Sequence, residues 1–246
     1  MSIFNIFNNQ LSEVIEWKNQ SPTILWYKHP SKRDEIINAS KLIVAPGQGC
    51  ILVYEGKVVN VIDEEGIYNL KTDNHPLVTT LTRLRQNFES EHKLYIYFYQ
   101  RAVILNQNWG TANPIKYLDP IYSLPIELGV NGSFAYQIEN PSYFYSNIVA
   151  NQDVVQSNHI REVINNKIPS SIISLLAEAK LSYLDIDSKV AELSQKLLIE
   201  LNTEFESLGL KIADFKILGT HFDSETQRRI GNIADITSEN RAAQEG

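Results

Sequence analysis

The segment from Leu42 to Thr72 constrains the fold more than any other part of the chain, because short apolar runs alternate there with glycine turns. The runs LIV, CILVY, KVVNVI and IYNL are rich in Val, Ile and Tyr, which favour β-strands. Pro-Gly and Glu-Gly pairs separate them, and glycine tolerates the positive φ angles of tight turns. The pattern predicts a compact antiparallel meander, and none of its residues forms a catalytic motif.

Composition and charge restrict the class of protein. Hydrophobic residues make up 43% and charged residues 21% of the 246 residues, as in a globular chain of one large or two modest domains. The single cysteine excludes an intrachain disulfide and fits a reducing compartment. We find neither a signal-peptide pattern nor an apolar run near the roughly 20 residues of a membrane span. The net charge of −7 argues against nucleic acid as a partner.

Apolar residues at helical spacing predict an amphipathic helix in residues 1–18. The side chains of this stripe are Ile3, Phe4, Phe7, Leu11, Val14 and Ile15. One interpretation is that the helix packs on its own domain, as most apolar stripes do. The other is contact with a membrane or partner through the first four of these side chains. The two phenylalanines favour that contact, and the absence of Lys and Arg on the polar face opposes it.

The remaining pattern predicts an α+β fold of two small β-rich subdomains with flanking helices and a C-terminal helix. We predict the first subdomain at residues 19–121 and the second at residues 122–222. Composition indicates a loop at 106–115 and a hairpin at 123–139 that turns near Asn131-Gly132.

Helical periodicity appears after Pro141. Residues 152–180 predict a long helix that is kinked or broken near Pro169, because proline removes a backbone donor. A second helix is predicted at roughly residues 187–207, ended by a glycine, before a strand at 210–218.

A polar helix is predicted in residues 223–246, starting at Asp223 or Ser224. Its apolar stripe is narrow and is bordered by charged residues, an arrangement that helix–helix interfaces use to select partners. We therefore predict an oligomer contact through Ile230 and Ile233.

We predict no catalytic residue, metal ligand or cofactor site. None of the five histidines stands three or four residues from another, the spacing that metal sites use. Cys50 precedes an Ile-Leu-Val run, which favours a buried, inert thiol over a nucleophile. The acidic residues from Asp63 to Glu65 suit a solvated surface. Trp109 could mark a binding surface or fill a gap between the subdomains, and packing is favoured because large aromatic side chains usually bury most of their area.

The order of these segments resembles the SPFH (stomatin, prohibitin, flotillin; Band 7) domain, and in particular its soluble bacterial, virion-core-protein-like branch. The succession of strand, Pro-Gly turn, strand and Gly-x-Tyr-x-Leu in Leu42–Thr72 is similar to the opening of that domain. Further segments resemble it in the same order along the chain: LSEVIEW at 11–17, Trp109-Gly110-Thr111, Pro114-Ile115 with Asp119, GVNGSFAYQIENP at 129–141, and GLKIADFKI at 209–217.

The resemblance implies a non-enzymatic scaffold that oligomerises and organises membrane-associated partners, in this branch often under membrane stress. The implied partners are further copies of the chain, and a membrane surface or membrane-associated protein. Because no transmembrane segment is present, we expect a cytoplasmic protein in peripheral contact with the inner face of the cell membrane. A small-molecule or lipid-binding module and an enzyme of unrecognised type remain alternatives.

Overall fold

The computed structural model describes residues 13–18, 20–86 and 93–244, apart from the side chains of residue 234 and residues 237–244. It confirms the α+β fold. The strands are β1 (Val14–Glu16), β2 (Ile24–Lys28), β3 (Lys41–Val44), β4 (Gln48–Tyr54), β5 (Lys57–Ile62), β6 (Gly66–Asn69), β7 (Leu94–Gln100), β8 (Ile104–Gly110), β9 (Ile115–Leu118), β10 (Pro125–Ile138), β11 (Val154–Gln156) and β12 (Leu210–Phe222). The helices are α1 (Arg33–Asn38), α2 (Pro76–Gln86), α3 (Pro141–Phe144), α4 (Ser157–Ala179), α5 (Ile186–Phe205) and α6 (Ser224–Gln244).

The chain folds into two compact units, each built from two separate stretches. Unit one comprises Met1–Ala102 and Ile138–Asn158, and unit two comprises Val103–Gln137 and His159–Gly246. The predicted boundary between residues 121 and 122 therefore lies inside unit two. A sequence pattern marks turns along the chain, whereas a unit is defined by which distant stretches pack together.

Unit one contains a three-stranded sheet in the order β1-β3-β6 and a five-stranded sheet in the order β11-β2-β7-β4-β5. All four strands predicted in Leu42–Thr72 are present, but the predicted meander is wrong in its pairing. β3 pairs with β6 in the smaller sheet, and the β4–β5 hairpin between them belongs to the larger one. The reason is that β4, buried along nearly its whole length, takes partners on both edges, β5 and β7.

The core of unit one lies between these sheets and the helices α1 and α2. Its fully buried members include Ile15, Ile36, Leu42, Leu81 and Phe98. Because Ile15 lies on β1, which pairs in parallel with β3, the helix predicted for residues 1–18 is wrong over Val14–Glu16. Residues 1–12, the rest of that prediction, lie outside the described residues.

The opposite face of the five-stranded sheet carries an aromatic cluster, since neighbouring residues of a strand point to opposite faces. Trp26, Tyr97 and Tyr99 lie there, all buried. Phe144 at the end of α3 and Tyr145 in the π-helical turn that follows pack on them, with ring centroids 5.4 Å from Trp26 and Tyr97 respectively. The cluster therefore fastens the second stretch of unit one to the first.

The sheet of unit two has the order β12-β10-β8, and β9 also pairs with β10. Two predictions are wrong here. The loop predicted at 106–115 is strand as far as Gly110, because β8 pairs with β10. The hairpin predicted at 123–139 is the single strand β10, which pairs first with β9 and then with β8.

Gly132 explains why a turn signal stands inside a strand. It pairs with Trp109 on β8. A Cβ atom at Gly132 would overlap the carbonyl oxygen of Lys216 on β12 and lie 2.7 Å from Trp109 Nε1. The glycine is therefore required for the close approach of three strands, one of the roles glycine has inside sheets.

Helix α5, which corresponds to the predicted second helix, packs against β12. The side-chain amide of Asn202 donates a hydrogen bond to the carbonyl oxygen of Ile212 and accepts one from the N–H of Ile212, each 2.9 Å long. The long helix predicted at 152–180 is α4, which continues through Pro169, while residues 154–156 form β11 instead. The final helix begins at Ser224, as predicted.

Candidate interaction surfaces

The start of α6 is fixed firmly to unit two. The carboxylate of Asp223 accepts hydrogen bonds from the backbone N–H groups of Glu225 and Thr226, both 3.1 Å long, which caps the helix. Thr226 is 2% exposed, and its Oγ1 accepts a bond from the N–H of Glu127 on β10. The first turn therefore has a defined position against the sheet.

Further along α6, the predicted contact residues lie on a stripe of increasing exposure. Ile230 and Ile233 are half-buried, whereas Ile236 is 57% exposed. Charged side chains border the stripe: Glu225 forms ion pairs with Arg228 at 2.9 Å and Arg229 at 3.1 Å. This arrangement provides a narrow apolar surface with charged flanks.

The other predicted contact residues, Ile3, Phe4, Phe7 and Leu11, lie outside the described residues. Their predicted stripe continued to Val14 and Ile15, and these two side chains are described. Ile15 is fully buried in the core of unit one, while Val14 is 38% exposed. The last two residues of the predicted stripe therefore lie on strand β1, and Ile15 belongs to the core.

Trp109 packs inside unit two, in agreement with the packing interpretation. It is 5% exposed and stacks on Phe215 of β12, with ring centroids 5.2 Å apart and an interplanar angle of 21°. Thr111 is the last residue of the Trp-Gly-Thr motif. Its Oγ1 accepts a hydrogen bond of 3.0 Å from the backbone N–H of Val130. The Trp-Gly-Thr segment thus joins β8 to its neighbours, and the Trp109 ring lies in the interior of unit two.

Asp119, which follows in the same motif, is fully buried and acts as a hydrogen-bond centre. One carboxylate oxygen accepts from the N–H groups of Ile121 and Tyr122, both at 2.8 Å. The other accepts from Ser182 Oγ at 2.9 Å and the N–H of Tyr183 at 2.7 Å. Burial alone would raise the pKa of Asp119, but these donors outweigh it and lower the pKa below its ordinary value. Asp119 therefore fixes the turn before β10 to the connection between α4 and α5.

The described residues contain no group of three or more His, Cys, Asp or Glu side chains that could hold a metal ion. Cys50 is 1% exposed, and burial raises the pKa of its thiol far above the ordinary value, as expected for an inert structural cysteine. The side chains of Asp63, Glu64 and Glu65 are exposed, in agreement with a solvated surface.

The chain was compared with known proteins. A family model described as "SPFH domain-Band 7 family" matches residues 26–237. The chain belongs to the SPFH domain–Band 7 family. SPFH domains are in general parts of membrane-associated scaffolds. The chain is also 24% identical over 245 residues to the uncharacterized protein YdjI of Bacillus subtilis (strain 168), covering 94% of this chain and 73% of YdjI.

Unit one of this SPFH domain contains a groove of about 380 Å³ that the sequence pattern did not indicate. Trp17 and Tyr27 stack along it, with ring centroids 5.6 Å apart. His29 also lines it, and burial lowers the pKa of this imidazole although Glu13 and Glu35 act in the opposite direction. The groove is therefore lined by a stacked aromatic pair and by a histidine whose pKa is lowered by burial.

A second groove, in unit two, has a volume of about 280 Å³. Its lining includes Tyr117 and Leu118 of β9 and Arg229 of α6. This volume lies below the range of about 300–1,000 Å³ that is usual for ligand sites.

Among the described residues of the SPFH domain, no helix is both long and apolar enough to cross a membrane.

Proposed function

We propose that this SPFH domain is a non-enzymatic scaffold that assembles with copies of itself and holds membrane-associated partners at the membrane surface. The observation that carries the proposal is the geometry of α6. Its first turn is anchored through Thr226, whereas the stripe of Ile230, Ile233 and Ile236 becomes more exposed along the helix. A second copy can cover this stripe.

The apolar stripe of α5 is already used within the chain. Leu193, Leu197 and Leu201 of α5 are at most 4% exposed, because α5 packs against β12. Between the two stripes, that of α6 is therefore the one with apolar surface left for a partner. The charged side chains beside it, Glu225 and Arg229 among them, can select the orientation of the partner helix.

The self-assembly is tested by Ile230→Asp with Ile233→Asp, examined by sedimentation equilibrium of the full chain. We expect the oligomeric mass to fall while Tm decreases by only a few degrees, because both side chains are half-buried. The matched control is Gln227→Asp with Asn232→Asp, which adds the same charge at two exposed positions of α6. If both double variants keep the wild-type mass, α6 is not the contact.

A wild-type chain that stays monomeric at high concentration, with and without liposomes, contradicts the scaffold as a whole. The proposed membrane contact rests separately on Ile3, Phe4, Phe7 and Leu11. Burying each phenylalanine in the membrane interface contributes about 1.5–3 kcal/mol, enough for reversible binding.

The groove in unit one supports a second candidate function, the binding of a small aromatic or lipid-like molecule. Its volume of about 380 Å³ and the stacked pair Trp17–Tyr27 are the supporting observations. Native mass spectrometry of the purified chain tests this function. A retained ligand that is lost in Trp17→Leu supports it, and a ligand-free mass from cell extract and after incubation with lipid contradicts it.

A further inference from the structure

We propose that the groove of unit one is the docking site of this chain's own N-terminal segment, residues 1–12, which places Phe7 and Leu11 against the groove. The inference rests on the proposed membrane contact, because it gives the same apolar side chains a second position. A segment that occupies the groove cannot insert into a membrane at the same time. Docking therefore regulates the membrane contact, since the groove and the membrane compete for one segment.

The groove lies close to the N-terminal end of the described residues. Its lining comes entirely from residues 14–29 and consists of Val14, Glu16, Trp17, Lys18, Ile24, Tyr27 and His29. Val14 is 38% exposed and follows the end of the segment by two positions. The segment therefore joins the fold at the wall of the groove itself.

The junction between the segment and the fold has a defined position. The carboxylate of Glu13 accepts a hydrogen bond of 2.7 Å from Ser31 Oγ. The carbonyl oxygen of Glu13 accepts a second bond of 3.0 Å from the backbone N–H of Ser40, the residue before β3. The segment is therefore tethered at a fixed point beside the groove.

The short tether selects the chain's own segment as the occupant. Leu11 precedes Val14 by three residues and Phe7 precedes it by seven, so even an extended chain spans at most about 11 Å and 25 Å, respectively. A binding segment on a short tether has an effective concentration on the order of millimolar at its site. A free small molecule, or the segment of a second copy, has to exceed that concentration to displace a tethered segment of equal affinity.

The segment and the groove also match in charge. Residues 1–12 contain no Asp, Glu, Lys or Arg. In the groove, Lys18 Nζ lies 2.8 Å from Oε1 of Glu16, so these two charges neutralise each other. Burial of a charge without a partner is costly. An uncharged apolar segment covers this lining without that cost.

Phe7 and Leu11 suit the groove as a pair. Residues four apart on a helix lie on the same face, so both side chains can enter together. Tyr27 and Ile24 are half-buried, which leaves part of each side chain for contact. The ring of Phe7 can pack on that of Tyr27 in an offset or edge-to-face arrangement.

A fluorescent reporter at the groove tests docking on the full chain. In a Cys50→Ala background, Lys18→Cys carries a dansyl group, because the Lys18 side chain lines the groove and is 72% exposed. Phe7→Asp with Leu11→Asp should shift the emission to longer wavelength, since the segment no longer shields the dye from water. The matched control, Asn8→Asp with Asn9→Asp, adds the same charge to the segment and should keep the original emission. Equal emission from all three chains overturns the inference.

Dilution distinguishes the chain's own segment from that of a second copy. Docking within one chain does not depend on protein concentration, so the emission difference should persist when the protein is diluted. A difference that disappears on dilution shows that a second copy supplies the segment, and it overturns docking within the chain.

The competition with the membrane is tested from the side of the groove. Tyr27→Ala removes part of the docking surface, so we expect several-fold more of the chain to co-sediment with phosphatidylcholine vesicles. Ile24→Ala is a second groove variant with the same expected direction. The matched control is Tyr95→Ala, which removes a half-buried tyrosine that does not line the groove. Vesicle binding that does not rise in either groove variant, at unchanged Tm, overturns the competition.

Docking and membrane contact fail in different ways. A reporter that responds to Phe7→Asp with Leu11→Asp, in a chain that does not bind vesicles, supports docking and contradicts the membrane contact. Vesicle binding that depends on Phe4 and Phe7, with a reporter that does not respond, supports the membrane contact and overturns docking.

Discussion

Replacement of Asp119 by alanine should destabilise unit two more than almost any other single polar substitution. The carboxylate accepts four hydrogen bonds, from Ile121, Tyr122, Ser182 and Tyr183. Two of the donors, Ser182 Oγ and the N–H of Tyr183, lie in buried bonds. A buried donor left without an acceptor costs about 1–3 kcal/mol, and the partly buried pair costs less because water can reach it. The expected loss in free energy of unfolding is about 3–5 kcal/mol.

Denaturant unfolding followed by tryptophan fluorescence measures this loss, because Trp109 lies buried in the same unit. The matched control is Asp214→Ala, which removes a surface carboxylate paired with Lys216 at 2.9 Å. An exposed ion pair contributes about 1 kcal/mol at most, so this control should remain near wild type. A loss below about 1 kcal/mol in Asp119→Ala would refute the assignment of Asp119 as a hydrogen-bond centre.

The pH dependence provides a second check of the same reasoning. Because the pKa of Asp119 is lower in the folded chain than in the unfolded chain, its contribution to stability is present above the unfolded pKa, ~4. The contribution decreases as the pH falls from ~4 through the folded pKa. The stability difference between wild type and Asp119→Asn should therefore be constant near neutral pH and shrink under acid conditions. A difference that does not change with acidification contradicts the lowered pKa.

Three further predictions follow from the structure and the sequence. Gly132→Ala should cost several kcal/mol in thermal or chemical unfolding, because its Cβ would overlap the β12 backbone, whereas Gly231→Ala, with open space around it, should stabilise α6 by about 0.5–1 kcal/mol. Cys50→Ala should cost about 1 kcal/mol, and rapid labelling of the native thiol by a maleimide would contradict its burial. Phe4→Asp with Phe7→Asp should abolish co-sedimentation with liposomes at nearly unchanged Tm, and a large loss of Tm instead would indicate a core role.

Local chemistry allowed much of the fold to be predicted from the sequence. The strands of Leu42–Thr72 follow from their β-branched runs, and the hairpin turn between two of them has positive φ at both Glu55 and Gly56. Gly209, with φ 76°, ends the helical segment before β12 as predicted. These features depend on neighbours in sequence, so the amino-acid sequence alone is sufficient to predict them.

The candidate site could be predicted only in part. The apolar stripe and charged flanks of α6 follow from helical spacing, but the anchoring of its first turn through Glu127 and Thr226 joins residues far apart in sequence. The position of β5 at the edge of its sheet likewise depends on residues far apart in sequence. Its valines are visible in the sequence, yet the order of the strands decides that β5 is an edge.

By itself, the sequence determined the α+β class, most of the strands and helices, the burial of Cys50 and the resemblance to SPFH domains. Tertiary structure alone decided that the β4–β5 hairpin leaves the sheet of its neighbours, that Gly132 stands in a strand, and that Asp119 bonds Ser182. The physical reason is that strand pairing, close backbone approach and buried hydrogen bonds depend on what a residue meets across space. Neither the periodicity of apolar residues nor the secondary-structure propensity along the chain contains that information.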